Sequence, residues 1–184
     1  MAIMIAGLVL FIGVHLVPAL PGLRRTLAAN WSEDRYKKIF SVVAGIGLLL
    51  IVVGYYLGER GPQLFAGQPV ARAAAPWVMM LVFILFAASH MRGHIRRLMQ
   101  HPMVIGVLLW SGVHLLANGD RRGTLLFGTF LAWSVVDLIA SLRRGPIAPF
   151  EPALRYDLMA AVGGVVVAGV VMLLHPYLFG VRPY

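Results

Sequence analysis

The chain has no cysteine, so disulfides, thiolate metal sites and cysteine nucleophiles are all excluded. Charge is scarce as well. Asp, Glu, Lys and Arg make up 12% of the 184 residues, about half the share found in a soluble domain. The few charges are unbalanced, with seven acidic residues against sixteen basic ones and a formal net charge of +9. In a soluble protein that excess would suggest nucleic acid. Here the cations lie between apolar runs, where they read as orientation signals and contacts with anionic headgroups. The basic groove with interleaved aromatics that single-stranded nucleic acid requires is missing, so no nucleic-acid partner is expected.

What the chain does have is hydrocarbon. Hydrophobic residues make up 60% of it, gathered into six long runs. A helical span needs roughly 20 such residues, so six spans and short loops nearly exhaust the length. No soluble catalytic domain fits beside them, and any chemistry must sit inside the bundle or at its rim. The runs are continuous, whereas a barrel strand alternates apolar and polar residues. The expected fold is an all-α, polytopic transmembrane bundle of about six spans, forming one domain over 1–184. Met1 to Leu20 is apolar from the start and lacks both a positive leading region and a small-residue cleavage site. It is read as a retained span rather than a signal peptide.

Prolines, glycines and charges mark the boundaries. Span one covers about Ile3 to Val17 and is broken by Pro18 and Pro21, with Gly22, Arg24 and Arg25 following as a loop. Ser32-Glu-Asp-Arg35 is a helix start, and span two covers about Ile39 to Leu57. Gly61 to Ala75 reads as a connector. Span three covers about Pro76 to Ser89, with the proline in its first turn. His90 to Arg97 is an interfacial segment. Span four opens at His101-Pro102 and ends at the turn Asn118-Gly119-Asp120. Span five covers about Thr124 to Ser141. Span six covers about Leu158 to Leu174 and stops at His175-Pro176. Gly45, Gly47, Gly163, Gly164 and Gly169 would let helices approach closely, within one chain or between two, so the oligomeric state stays open. No tandem repeat or low-complexity tract is evident.

The basic residues also indicate orientation. The loops after spans one, three and five carry eleven Lys and Arg, and the opposite side carries five: Arg60, Arg72, Arg121, Arg122 and Arg182. The bias toward cytoplasmic cations then puts both termini outside the cytoplasm.

Ionisable groups in hydrocarbon are expensive and default to function. His15, in Gly13-Val-His-Leu-Val-Pro18, and His114, in Trp110-Ser-Gly-Val-His114-Leu, lie within spans one and four. At about 1.5 Å per residue, counted from the basic loops, they lie roughly 13 and roughly 20 Å deep, a mismatch that tilt can absorb. Either one alone is as readily a side chain bonded to a neighbouring carbonyl. As a pair on separate spans they could hold a flat cofactor such as haem, whose iron accepts axial histidine. Trp110 and Asn118 flank His114 and are candidates to support it.

Other residues carry weaker signals. His90 and His94 are four apart and would share a face if that segment were helical, but no third ligand is near in sequence. An interfacial basic patch is the preferred reading of that segment. His101 opens span four, where it caps the helix or meets a phosphate. His175 reads as an interfacial residue with no special role. Asp137 is the carboxylate well inside a span, and it needs a partner such as Arg143, an arginine of another loop or a histidine. A salt bridge is the simpler role, and orienting a ligand histidine is the sharper one.

His101-Pro102-Met-Val-Ile-Gly106, Trp110 and His114-Leu-Leu-Ala-Asn-Gly-Asp120 together resemble the signature of the NnrU family. So do Gly13-Val-His15-Leu-Val-Pro18-Ala-Leu-Pro-Gly-Leu-Arg24, Tyr36-Lys37, and Phe130-Leu-Ala-Trp133 with Asp137. The resemblance implies a multi-span bacterial membrane protein linked to nitrite and nitric oxide metabolism. The family is in turn similar to the plastid 15-cis-zeta-carotene isomerase, which holds haem b with two histidines. By motif position His114 matches one of those ligands and His15 the other, and the implied ligand is hydrophobic, such as an isoprenoid. Histidine-proline followed by glycine is also similar to membrane methyltransferases of the isoprenylcysteine carboxyl type, which bind S-adenosylmethionine. Those carry arginine before the histidine and tyrosine two residues after the proline, where this chain has Gln100 and Val104. A cofactor-free accessory protein is the remaining alternative.

Overall fold

A chain in hydrocarbon must pair every backbone N–H and C=O internally, and this one does so with helices. The computed structural model describes residues 1–181. Among them the elements are α1 (Ala2–Leu16), a 3₁₀ turn (Val17–Ala19), α2 (Pro21–Trp31), α3 (Glu33–Leu57), α4 (Pro69–Ser89), α5 (His94–Met99), α6 (Pro102–Asn118), α7 (Arg121–Arg143) and α8 (Leu154–Phe179). Five segments are long and apolar enough to cross a bilayer: Ala2–Ala19, Glu33–Leu57, Pro69–Ser89, Arg121–Arg143 and Leu154–Phe179. Pro102–Asn118 is a shorter apolar helix. The protein is an all-α, multi-pass membrane protein with about six spans, as its hydropathy predicts. Arg182, counted above for orientation, lies outside the described residues. The helices fall into two units, Met1–Gly61 and Pro62–Tyr184.

In the first unit α1 packs along α3. Their backbones approach closely because glycine lines the contact. A Cβ at Gly7 would lie 2.6 Å from the Ile51 nitrogen, and one at Gly47 would lie 2.8 Å from the Phe11 nitrogen. Gly45 faces open space, so only one of the two neighbouring glycines serves the packing. The segment expected to be a loop after Pro18 is the helix α2. Pro21 stands at its start, where a missing N–H costs nothing, and the following Leu, Arg and Ala are good helix formers. α3 begins at Glu33, at the helix start read from Ser32-Glu-Asp-Arg35, and carries the apolar stretch from Ile39 onward. The Ser32 side chain accepts a long 3.5 Å bond from the Arg35 N–H, and Glu33 and Asp34 meet the positive helix end.

In the second unit α4 packs against α6 and α8, and α6 packs against α7. α4 starts at Pro69, so Pro76 lies inside the helix rather than in its first turn. Alanines at 71, 73, 74 and 75 carry the helix through what read as a broken connector. Pro76 removes the helical donor to the Arg72 carbonyl, a defect that membrane helices tolerate. α8 likewise runs past His175-Pro176 to Phe179, where Gly180 adopts a left-handed φ of 67°. Its buried stripe is Ala160, Gly164 and Ala168, while Leu158, Val162, Val166 and Leu173 are exposed. This is how a helix packs in lipid: small residues meet the neighbouring helix and large ones face the acyl chains. A Cβ at Gly164 would lie 2.6 Å from the Ile84 backbone, whereas Gly163 and Gly169 meet nothing.

The end of α6 is sealed by the strap at 62–68. The last carbonyls of a helix lack intrahelical donors, and here each finds one. The Gln68 N–H donates to Leu116 O (2.8 Å), Arg72 Nε to Ala117 O (2.9 Å), Gln63 Nε2 to Asn118 O (2.7 Å) and the Leu64 N–H to Gly119 O (2.8 Å). Asn118-Gly119-Asp120 makes the expected turn. Gly119 takes a φ of 79°, and the Asp120 carboxylate accepts from the Gly123 N–H at 2.9 Å to start α7.

His90 and His94 do not share a helix, because His90 closes α4 and His94 opens α5. The carboxylate that sequence could not supply comes from α8. Asp157 accepts from the His94 N–H (2.9 Å), the Ile95 N–H (2.9 Å) and His94 Nδ1 (2.7 Å). Asp157→Ala is expected to release this clamp at a cost on the order of 2 kcal/mol. Amide hydrogen exchange at His94 and Ile95 should then accelerate while α4 and α6 stay protected. Unchanged exchange at those two amides would show that the clamp holds nothing.

Candidate functional site

His15 is the penultimate residue of α1 and is half-buried. A helical side chain leans back over the preceding turn, which brings Nδ1 to 2.7 Å from the carbonyl of Phe11. A carbonyl only accepts, so Nδ1 carries the proton and Nε2 carries the lone pair. The Phe11 ring stacks on the imidazole at 4.1 Å, and Phe40 of α3 meets it edge-on at 4.9 Å. Tyr36 lies one turn before Phe40, with ring centroids 6.3 Å apart.

His114 sits one turn before the end of α6 and is also half-buried. Its Nδ1 lies 2.8 Å from the carbonyl of Trp110, which fixes the same tautomer. Phe127 of α7 lies 4.9 Å from the imidazole and Trp110 lies 5.7 Å from it. Trp110 in turn meets Phe127 and Phe130 edge-on at 5.2 and 5.1 Å. Asn118 Nδ2 donates to the His114 carbonyl at 2.7 Å. Trp110 and Asn118 therefore both touch His114. They do so through a backbone carbonyl and onto a backbone carbonyl, respectively.

The two histidines are presented by one local device used twice. Phe11-Ile-Gly-Val-His15-Leu16 and Trp110-Ser-Gly-Val-His114-Leu115 share an aromatic residue four positions back, Gly-Val before the histidine and Leu after it. In both, the carbonyl of that aromatic residue holds Nδ1 and its ring touches the imidazole. A metal-ligating histidine is typically held this way, its far nitrogen fixed by a carbonyl so that the near one presents a lone pair. The shared hexapeptide was legible in the sequence. It escapes a search for tandem repeats because its copies stand far apart.

Asp137 and His101 gather elsewhere, beside Arg144. The carboxylate of Asp137 lies 3.9 Å from Arg144 Nη2, the salt-bridge role expected for it. His101 stands at the start of α6 but makes no side-chain cap there. Burial, reinforced by the Arg144 cation, holds its pKa below the ordinary histidine value against the opposing pull of Asp137. His175 Nδ1 bonds the Val181 carbonyl at 2.7 Å. Among the described residues no three His, Asp or Glu side chains cluster as a metal site. A Cβ at Gly106 would lie 2.6 Å from the Phe86 ring, so α4 fills the space beside the glycine of the histidine-proline motif. Sequence reasoning missed the Tyr36 hydroxyl, which is buried and has no hydrogen-bond partner among the described residues.

Apolar helices of spanning length define a multi-pass helical membrane protein, and two of its apolar helices, α1 and α6, each carry an imidazole held by a carbonyl one turn back. The NnrU protein family model matches residues 3–183, and the chain belongs to that family. No curated protein and no solved structure matches it.

Proposed function

We propose that this NnrU-family protein binds haem b, which His15 and His114 would hold through their imidazoles. The observation that carries the reading is the duplicated Nδ1-to-carbonyl device, which leaves each Nε2 with the lone pair an iron needs. The residues present fit the group in a second way: apolar aromatic rings surround each imidazole, and a buried phenol near His15 awaits an acceptor. When bound, haem would supply a redox-active iron. The chain's own part is to fix both rings, keep water away with Phe11, Phe40, Trp110 and Phe127, and admit ligands from the lipid. The apolar surroundings of both rings favour a hydrophobic substrate such as an isoprenoid, handled by cis-trans isomerisation. A role in nitrite and nitric oxide metabolism would use the same iron. The Phe86 ring packed on Gly106 weighs against an S-adenosylmethionine cradle at the histidine-proline motif. The protein works as one domain in a bacterial inner membrane, with both termini on the periplasmic side.

Absorbance of the protein purified after expression with supplied haem tests this. A Soret band is expected. A colourless protein that instead retains S-adenosylmethionine would replace this reading with methyl transfer, and one that binds neither would leave a structural role.

A further inference from the structure

Tyr36 occupies the first turns of α3, where its ring lies against Phe40 and Phe40 packs on His15. The residue is 8% exposed, and its hydroxyl is buried with no hydrogen-bond partner among the described residues. A buried O–H left unmade is costly, and such groups are retained where something completes them. The Arg24 guanidinium of α2 lies 5.7 Å from the Tyr36 ring centroid. It is held there by Glu33 at 2.8 Å, and Lys37 lies 3.7 Å from the same carboxylate. Two cations share this one carboxylate, so the Arg24–Glu33–Lys37 cluster keeps a net positive charge. An O–H donor beneath a positive field selects an anionic acceptor over a neutral one.

We infer that the Tyr36 hydroxyl donates a hydrogen bond to a carboxylate of the ligand held at His15, with Arg24 supplying the counter-charge. The inference rests on the haem reading, in which that carboxylate is a propionate. Three elements of one unit converge to make the subsite: His15 from α1, Arg24 from α2, and Tyr36 with Phe40 from α3. Its place at the start of a span suits a ligand whose body is apolar and whose acidic edge reaches toward headgroups and water. Tyr36 is thus a positioning residue: it sets how the ligand lies without touching the iron.

The test compares haem b with its dimethyl ester, in which the propionates are blocked. Wild-type and Tyr36→Phe proteins are loaded with each, and loss of haem to excess apomyoglobin is timed. Tyr36→Phe is expected to speed loss of haem b on the order of tenfold and to change loss of the ester by about twofold at most. Arg24→Gln should act in the same direction. The Soret position should not move in either variant, because the imidazoles remain. Equal acceleration for both haems, or none for either, would overturn the proposal while leaving haem binding intact. A colourless wild-type protein would overturn both.

Discussion

Replacing either His15 or His114 with alanine is expected to abolish the Soret band of protein expressed with haem. Each imidazole is pre-set by a carbonyl one turn back, so in the proposed site each would be a fixed ligand rather than a mobile one. Weakening only the groups that orient a ligand histidine typically costs about 10–100-fold in metal affinity, and removing the ligand itself costs more. Two controls make the result specific. Trp110→Phe should keep the band, because the group that holds His114 is the backbone carbonyl and not the indole. His94→Ala should keep it too, since that imidazole is engaged by Asp157. A band that survives loss of His114 but fails without His94 would reverse the assignment.

The second large effect concerns two adjacent glycines. Gly164→Val should destabilise the protein on the order of 3 kcal/mol more than Gly163→Val. The propensity change is the same at both positions, so it cancels. What differs is the neighbour: at 164 a new Cβ meets the Ile84 backbone at 2.6 Å, and at 163 it meets nothing. Backbone cannot move aside as a flexible side chain can, so α4 and α8 would have to separate. In lipid their contact depends on close van der Waals packing, with no hydrophobic drive to restore it. Unfolding of purified protein by increasing SDS, followed by circular dichroism, measures the difference. Equal midpoints for the two variants would show that α8 does not dock through this stripe.

Hydropathy made the spans and the all-α class legible, because continuous apolar runs have one solution in a bilayer. Boundaries were read less well wherever proline was taken as a helix end, Pro76 as a start and Pro176 as a stop. Pro76 and Pro176 both lie inside helices, since a lipid-embedded helix has no better alternative for its neighbours than to continue. The Asn118-Gly119-Asp120 turn was readable because its left-handed glycine and its capping aspartate are local signals. His15 and His114 stood out through their cost in hydrocarbon alone. Contacts across long separations were not readable: Asp157 reaches His94 from 63 residues away, and Gln63 reaches the Asn118 carbonyl from 55. The unsatisfied hydroxyl of Tyr36 was hidden for the same reason, since a missing partner shows only when every neighbour is in place.

The central claim, that both imidazoles bind one iron, is tested most directly by electron paramagnetic resonance of the ferric, haem-loaded protein at low temperature. Ligation by two imidazoles predicts a low-spin signal that is lost in His15→Ala. A wild-type protein that is high-spin, or a low-spin signal that persists without His15, would contradict it.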